Sequence, residues 1–331
     1  MIGDIERHIE PGAYLEDLRH DVLSGLSRRP KQLPPKWFYD KRGSELFDRI
    51  TTLEEYYPTR AERSILDAVA EELAAVTRPE TLVDLGSGSA TKSAALLEAL
   101  VATGALRTYV PMDVSEAAIT SVGEDVQRTY PDLQVHGLLA DFERHLDRLP
   151  ADGRRLVAFL GSTIGNFPPV ARSRMLSALR RVMGPGDALL LGTDLVKSPA
   201  RLLPAYDDRQ GVTAEFNRNV LMVVNRHLGA DFDPDAFAHV AAWDADQEWI
   251  EMRLRSLRRQ VVSIPDLGIR VEFLDQEEMR TEVSAKFRRD RLERELQAAG
   301  LELTRWWTDP AGEFALSLSR PSSLDGTRRA T

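Results

Sequence analysis

From residue 61 onward, the hydrophobic positions predict helices and strands that alternate along the chain. Ile65, Leu66, Val69 and Leu73 recur at helical spacing and predict an amphipathic helix over 61–76. Short apolar runs then predict strands, with helices between them. The predicted strands cover 81–85, 108–113, 135–140, 155–160 and 188–193, and the predicted helices cover 93–100, 116–129 and 175–182. This alternation indicates a parallel, doubly wound α/β sheet.

A different pattern runs from residue 196 to residue 286. It predicts helices over 202–206, 212–228 and 235–240, and antiparallel strands over 251–264 and 269–274. The α/β pattern then returns, with a helix over 292–299 that ends at Gly300 and a last strand over 314–319.

Near the amino terminus, a helix is predicted over 14–26, and a proline- and aromatic-rich stretch follows it. We therefore predict a Rossmann-like domain made of 61–195 plus 287–321. A second, α+β domain would combine 1–60 with 196–286, and 322–331 would form a disordered tail.

Composition narrows the class of protein. The chain of 331 residues carries 43 Lys and Arg against 52 Asp and Glu, a net charge of −9, which opposes nucleic-acid binding. It contains no cysteine, so disulfides and thiolate metal sites are excluded. The amino terminus has no secretory signal pattern, and the apolar runs fall far below the ~20 residues of a membrane helix. We expect a cytoplasmic protein with no membrane partner.

The glycine-containing segment VDLGSGSATKS lies between a predicted strand and a predicted helix, where nucleotide-like ligands bind in α/β folds. Thr91 stands where both the dinucleotide fingerprint and the P-loop require a further glycine. The combination of Asp84, Gly86 and Gly88 resembles instead the first motif of Rossmann-like S-adenosylmethionine methyltransferases. On these residues alone, a plain tight turn remains an alternative.

Acidic residues also end the next two predicted strands. Asp113 could accept hydrogen bonds from both hydroxyls of a ribose, and Asp141 could accept from an adenine amine while Phe142 packs near the ring. A single acid in such a place is often only a helix N-cap. Acids at three successive strand ends around one crevice favour a ligand site.

Neither metal catalysis nor hydrolysis is indicated by the sequence. No pair of histidines has the spacing of a helical metal motif, and Ser162 in LGSTIGNF does not match the nucleophile elbow. We therefore expect no metal.

With these segments assembled, the chain resembles the histidine Nα-methyltransferases of ergothioneine biosynthesis. The resemblance spans almost the whole chain, through LPPKWFYDKRGSELFDRITTLEEYYPTR, VDLGSGSATK, FLGSTIGNF, LLLGTDLVK, AYDDRQGVTAEFNRNVL, IEMRL, TEVSAKFR and RWWTDPAGEFALSL. It implies that S-adenosylmethionine is the cofactor and that L-histidine is trimethylated to hercynine through mono- and dimethylated intermediates. Ala285 is a local departure, because some relatives are expected to carry cysteine there.

The resemblance also implies roles for individual residues. The implied cofactor-binding residues are Gly86, Lys92, Asp113, Asp141 and Phe142. The implied substrate-binding residues are Tyr56, Asn166, Tyr206, Met252, Glu282, Ser284 and Phe47. The implied catalytic residues, around the reacting amine, are Tyr39, Asn166 and Gly161.

In this scheme, different polar residues contact the carboxylate and the imidazole of the substrate. Asn166 and Tyr206 donate to the substrate carboxylate, whereas Glu282 accepts from the imidazole N–H and Ser284 donates to the other ring nitrogen. We expect a monomer. The alternatives are a methyltransferase for another small amine, an NAD-dependent oxidoreductase, and a cofactor-binding protein without turnover.

Overall fold

The computed structural model describes residues 5–10, 12–88 and 94–322, and the predicted tail lies outside them from residue 323. The strands are β1 (Glu6–Arg7), β2 (Lys31–Gln32), β3 (Thr81–Leu85), β4 (Thr108–Asp113), β5 (Gln134–Val135), β6 (Leu138–Leu139), β7 (Arg155–Phe159), β8 (Ala188–Asp194), β9 (Phe237–Asp244), β10 (Trp249–Ser256), β11 (Gln260–Ile264), β12 (Ile269–Phe273), β13 (Glu278–Ala285), β14 (Leu301–Thr308) and β15 (Phe314–Pro321). The helices are α1 (Ala13–Leu26), α2 (Lys41–Thr52), α3 (Pro58–Thr77), α4 (Ala94–Ala102), α5 (Glu116–Thr129), α6 (Pro169–Val182), α7 (Pro199–Tyr206), α8 (Val212–Leu228) and α9 (Arg289–Ala298).

The chain divides into two compact units. The first contains the described residues of Met1–Ile9, Pro58–Val196 and Phe287–Thr331, and the second contains those of Glu10–Tyr57 and Lys197–Lys286. The prediction that residues 1–60 all belong to the second domain is wrong at both ends. Residues 5–9 join the first unit because β1 pairs with β6, and residues 58–60 join it because α3 begins at Pro58.

The first unit is built on a mixed sheet in the order β1-β6-β4-β3-β7-β8-β15-β14, with β5 beside β4. From β6 to β8 the strands are parallel, and β15 then runs antiparallel to β8. The parallel part has the chain order 3-2-1-4-5 that characterises Rossmann-type sheets, so the predicted Rossmann-like α/β fold is confirmed. The order reverses between β3 and β7, and ligands bind at the carboxyl ends of the strands beside such a reversal.

Two strands of this sheet depart from the prediction. The strand expected over 135–140 is split into β5 and β6, because Pro111 on β4 lies opposite the break and has no N–H to donate. β14 was not predicted, and it forms an antiparallel hairpin with β15. The centre of the sheet is buried and mainly apolar, since every residue of β3, β7 and β8 is buried and most of them are aliphatic or aromatic.

The second unit combines a four-stranded sheet, in the order β2-β13-β10-β9, with α1, α2, α7 and α8. Phe38, Val220, Ile250, Leu254 and Met279 are among the buried residues of its apolar core. A separate hairpin pairs β11 with β12. The second unit therefore has the α+β composition that the sequence predicts.

Two predictions in the second unit are wrong. The helix expected over 235–240 is a short 3₁₀ turn, Pro234–Ala236, followed by β9, because this segment pairs with β10 along its whole length. The single strand expected over 251–264 is two strands in different sheets, separated by a bend at 257–259. Within the described residues, no helix combines the length and the apolar character that crossing a membrane requires.

Candidate active site

The turn after β3 brings the chain backbone close to an aromatic ring. Gly86 has a φ of 68°, in the left-handed region that favours glycine, and its N–H donates to the carbonyl oxygen of Met112 at 2.8 Å. A Cβ atom at Gly86 would lie 3.7 Å from Cε1 of Phe142. Two of the predicted cofactor residues are thus neighbours, whereas Lys92 lies outside the described residues.

Asp113 ends β4 and holds the start of the next helix. Its Oδ1 accepts the backbone N–H of Ser115 at 2.9 Å, and its Oδ2 accepts that of Gly88 at 3.4 Å. Ser115 in turn caps α5 by accepting the N–H of Ala118. The carboxylate therefore links the glycine turn to α5, at the strand end where a ribose would lie in this fold.

Asp141 and Phe142 follow β6 at the same edge of the sheet. Oδ1 of Asp141 accepts the N–H of Glu143 at 2.8 Å, so the carboxylate is part of a local turn. The Phe142 ring lies edge-on to Phe159, with the ring centroids 5.3 Å apart, and 6.4 Å from the ring of Phe167. These contacts fix the orientation of the ring that the sequence assigns to adenine.

The segment after β7 holds Gly161 and Asn166 through a strained turn. Gly161 and Ser162 both have positive φ, at 73° and 56°. The N–H of Gly161 donates to both carboxylate oxygens of Glu62, at 2.8 and 3.0 Å, and the Ser162 hydroxyl accepts the N–H of Asp194 at 3.0 Å. Asn166, half-buried, ends the short 3₁₀ helix Thr163–Asn166.

Glu62 was not predicted, although it is only 3% exposed in α3. Its carboxylate has room beside β8 because position 192 is glycine, where a Cβ atom would lie 2.0 Å from Oε1. A single glutamate in an amphipathic helix carries no sequence signal for such a role.

In the second unit, the predicted aromatic residues form one cluster. The ring centroid of Phe47 lies 5.6 Å from that of Tyr39 and 6.2 Å from that of Tyr56. Phe216 from α8, which was not predicted, lies 5.5 Å from Tyr39 and 5.9 Å from Phe47. Tyr56 also approaches Tyr206, at 6.5 Å between centroids.

A buried polar triangle adjoins these rings. The hydroxyls of Tyr206 and Ser284 are hydrogen-bonded to each other at 2.8 Å. Nζ of Lys286 donates to both, at 2.6 Å and 2.9 Å, and the side chain of Lys286 is 1% exposed. Lys286 was not predicted, although positions 282, 284 and 286 alternate along β13 and its end, which places them on one face.

Glu282 stands opposite Met252 in the register of β13 and β10, and Met252 is buried. Glu282 is half-buried, and protein surrounds its carboxyl group on most sides. Burial raises the pKa of Glu282 to about 7, against the smaller opposing effect of the Lys286 charge. Among the described residues no side chain or backbone group donates a hydrogen bond to this carboxylate. An enclosed carboxyl group of this kind is suited to binding a ligand donor.

The described residues contain no cluster of three or more histidine and acidic side chains placed to bind a metal ion.

Comparison with known proteins identifies the family. A model of the family described as histidine-specific, S-adenosylmethionine-dependent methyltransferase matches residues 18–321. The chain belongs to this family. Its relatives include a histidine N-alpha-methyltransferase from Mycobacterium tuberculosis, 55% identical over 96% of this chain and 99% of the relative. A histidine N-alpha-methyltransferase from Mycolicibacterium smegmatis is 54% identical with the same coverage.

A more distant relative of this histidine-specific methyltransferase comes from Neurospora crassa. That protein, ergothioneine biosynthesis protein 1, is 33% identical over 89% of this chain, and the match covers 34% of its own length. The predicted family and the predicted use of S-adenosylmethionine are confirmed by the family match, which leaves the NAD-dependent oxidoreductase without support. The roles of the individual residues stay predictions.

Proposed function

We propose that the protein transfers three methyl groups in succession from S-adenosylmethionine to the α-amino group of L-histidine, giving hercynine for ergothioneine biosynthesis. The observation that carries this proposal is the Glu282 carboxylate, which lies on the same face of β13 and its end as Ser284 and Lys286, the two side chains bonded to the Tyr206 hydroxyl from α7. An acceptor and a donor two residues apart on one strand face match an imidazole ring, which has one N–H and one unprotonated nitrogen. The histidine N-alpha-methyltransferase relatives support the same assignment.

The strand ends of the first unit suit the cofactor. Gly86 has a positive φ and no side chain, so the backbone of the turn can come close to a ligand. Asp113 and Asp141 are carboxylates, which accept hydrogen bonds from ribose hydroxyls and an adenine amine. When bound, S-adenosylmethionine supplies an electrophilic methyl group on a sulfonium, so the protein needs no covalent intermediate.

The protein's own residues would then bind and orient histidine. In this proposal Glu282 accepts the ring N–H, Ser284 donates to the other ring nitrogen, and Asn166 and Tyr206 donate to the carboxylate. The α-amine has to be neutral so that its lone pair can attack in line. Alignment of this kind supplies about 7–11 kcal/mol in favourable systems.

Positive charge arrives on the amine nitrogen as the methyl group is transferred. Tyr39 and Phe47 present aromatic rings in one cluster, and a ring face can stabilise a cation by about 0.5–2 kcal/mol. Gly161 is assigned to the surroundings of the amine. We further propose that the enzyme works in the cytoplasm as a monomer and accepts the mono- and dimethylated intermediates as substrates.

The test is to incubate the purified protein with S-adenosylmethionine and a panel of the common amino acids, and to identify products by mass. We expect L-histidine to gain up to three methyl groups and to be preferred over every other amino acid. Nα-acetylhistidine, whose amine is blocked, is the matched control and should gain none. Methylation of another amine with no product from histidine would reject the proposal and favour the small-amine alternative.

A further inference from the structure

Lys286 has no role in the scheme above, yet it is buried at the centre of the polar triangle. Its Nζ lies 2.6 Å from the Tyr206 hydroxyl, 2.9 Å from the Ser284 hydroxyl and 4.5 Å from the centroid of the Tyr206 ring. Burying a lysine destabilises the fold unless its charge is paired or hydrogen-bonded. This lysine contacts two side chains that are assigned to the substrate, so it influences the hydrogen bonds that they make to a ligand.

The hydrogen-bond chemistry of the triangle has a direction. An ammonium group can only donate, whereas a hydroxyl has one proton and accepts at its oxygen. Lys286 therefore uses the hydroxyl oxygens of Tyr206 and Ser284 as acceptors. The bond between the two hydroxyls uses one of their two protons, so the other proton points out of the triangle and can be donated to a ligand acceptor. The positive charge beside them also favours an electron-rich ligand atom over an N–H group.

Glu282 supplies the opposite polarity on the same strand face, two residues before Ser284 and four before Lys286. The Lys286 charge lowers the pKa of Glu282, against the larger effect of burial, and so favours the ionised, accepting form. His239 donates from Nε2 to the backbone carbonyl of Tyr206 at 2.7 Å, and burial lowers the pKa of His239. That lowering favours the uncharged form of His239.

We propose that Lys286 is a positioning residue that sets the polarity of the ring site: by donating to the Ser284 and Tyr206 oxygens it holds Ser284 as a donor toward the ring, and with Glu282 as the acceptor the site selects an uncharged imidazole. This inference rests on the proposed function, because it takes histidine to be the ligand. In this proposal Lys286 is the reason that the site prefers a ring with an unprotonated nitrogen facing Ser284 over a ring with a C–H at that position.

Two analogues of histidine separate the two ends of the site. 3-(Pyrrol-3-yl)alanine keeps the ring N–H and lacks the acceptor nitrogen, whereas 3-(thiazol-4-yl)alanine keeps the acceptor nitrogen and lacks the N–H. The Lys286→Met variant should lower the histidine-to-pyrrolylalanine ratio of kcat/KM about tenfold, within the range of about 5- to 150-fold for losing such a hydrogen bond. Its ratio of histidine to thiazolylalanine should change less. Lys286→Arg, which keeps the charge and the donors, should restore most of the first ratio.

Lys31→Met is the matched control. Lys31 is also 1% exposed, its Nζ lies 4.5 Å from the ring centroid of Phe273, and it belongs to the same sheet, but its ion pair is with Glu277. This variant should leave both analogue ratios within twofold of wild type. Calorimetric titration with S-adenosylmethionine establishes that each variant is folded, and Lys286→Gln replaces Lys286→Met if the latter does not bind the cofactor.

A spectroscopic measurement on the wild-type protein tests the same idea without a variant. Ring-¹⁵N-labelled histidine, bound together with S-adenosylhomocysteine at pH 7, should give one protonated and one unprotonated ring nitrogen. Two protonated nitrogens would overturn the proposal. So would a pyrrolylalanine ratio that Lys286→Met leaves unchanged, or lowers no more than the thiazolylalanine ratio. If the wild-type protein does not methylate histidine at all, it is the proposed function that fails.

Discussion

Replacing Glu282 with glutamine should stabilise the folded protein at pH 8 while impairing its selection of histidine. Burial raises the pKa of this carboxyl group from 4.5 to about 7. Each pKa unit corresponds to about 1.4 kcal/mol, so holding Glu282 ionised costs the fold about 3 kcal/mol above pH 7. Glutamine has a similar shape and no charge, and it removes this cost.

The sign of the pH dependence follows from the direction of the pKa change. Below about pH 4.5 the carboxyl group is protonated in both folded and unfolded chains, so wild type and variant differ only by a constant. As the pH rises toward 7, the unfolded chain ionises first, and wild type loses stability relative to Glu282→Gln. Urea unfolding of both proteins without ligands should show the variant gaining about 2 to 3 kcal/mol on wild type between pH 5 and pH 8.

Glu278→Gln is the control on the same strand, with the opposite sign expected. Burial alone would raise the pKa of Glu278, but hydrogen bonds from Arg253 and Arg255 outweigh it and lower the pKa. This variant should be less stable than wild type at pH 7, and the deficit should shrink as the pH falls through that lowered pKa. A Glu282→Gln difference that is flat with pH would refute the reasoning that this carboxyl group is enclosed and titrates near neutrality.

The same carboxylate should determine substrate choice. In Glu282→Ala, the ratio of specificity constants for histidine and tryptophan should fall about 5- to 150-fold, because the imidazole N–H loses its acceptor. The ratio is measured in wild type and variant at saturating S-adenosylmethionine. An unchanged ratio in a variant that binds the cofactor normally would mean that Glu282 does not contact the imidazole.

Three further predictions concern the first unit and the reaction as a whole. Asp113→Ala should weaken S-adenosylmethionine binding at least about tenfold in calorimetry, since bonds to a charged acceptor are worth about 1.5–3 kcal/mol, and an unchanged affinity would reject its role. Methyl transfer should persist after exhaustive EDTA treatment, because a sulfonium leaves without a Lewis acid; loss of activity that only a divalent metal restores would contradict this. Arg172→Met should lower the free energy of unfolding by about 3 kcal/mol, because the arginine is 1% exposed and two of its nitrogens each donate to Glu295 at 2.7 Å. A loss below about 1 kcal/mol in urea unfolding would show that the pair contributes little.

The elements that the sequence predicted well are those with long or repeated patterns. α8 covers Val212–Leu228 and α5 covers Glu116–Thr129, the predicted ranges, because each carries several helical turns of apolar positions. The strand Phe237–Asp244 was not predicted, and its first residues were assigned to a helix, because a short apolar run is compatible with either a helix or a strand. Its pairing with β10 decides the matter, and that partner is not visible locally in the sequence.

Some residues of the candidate site could also be predicted from the sequence pattern, and others could not. Gly86, Asp113 and Asp141 lie at strand ends that a doubly wound sheet places along one edge, so their proximity follows from the fold class. Glu282, Tyr206 and Ser284 came only from the resemblance to a family. Lys286 and Glu62 were missed because a lone lysine or glutamate usually lies in solvent, and only the packing around it shows otherwise.

Charged side chains inside this protein differ in whether the fold supplies a partner for them, and this difference affects their suitability for binding a ligand. Arg172 and Lys31 are closely paired with Glu295 and Glu277, so each charge is satisfied within the fold. Glu282 is enclosed without a hydrogen-bond donor among the described residues, and its pKa rises instead. A carboxylate of the second kind destabilises the protein alone, and a donor brought by a ligand removes that cost. The free energy by which ionised Glu282 destabilises the fold is therefore recovered when a substrate with an N–H at that position binds. The stability measurement on Glu282 and the choice of histidine thus report on the same carboxylate.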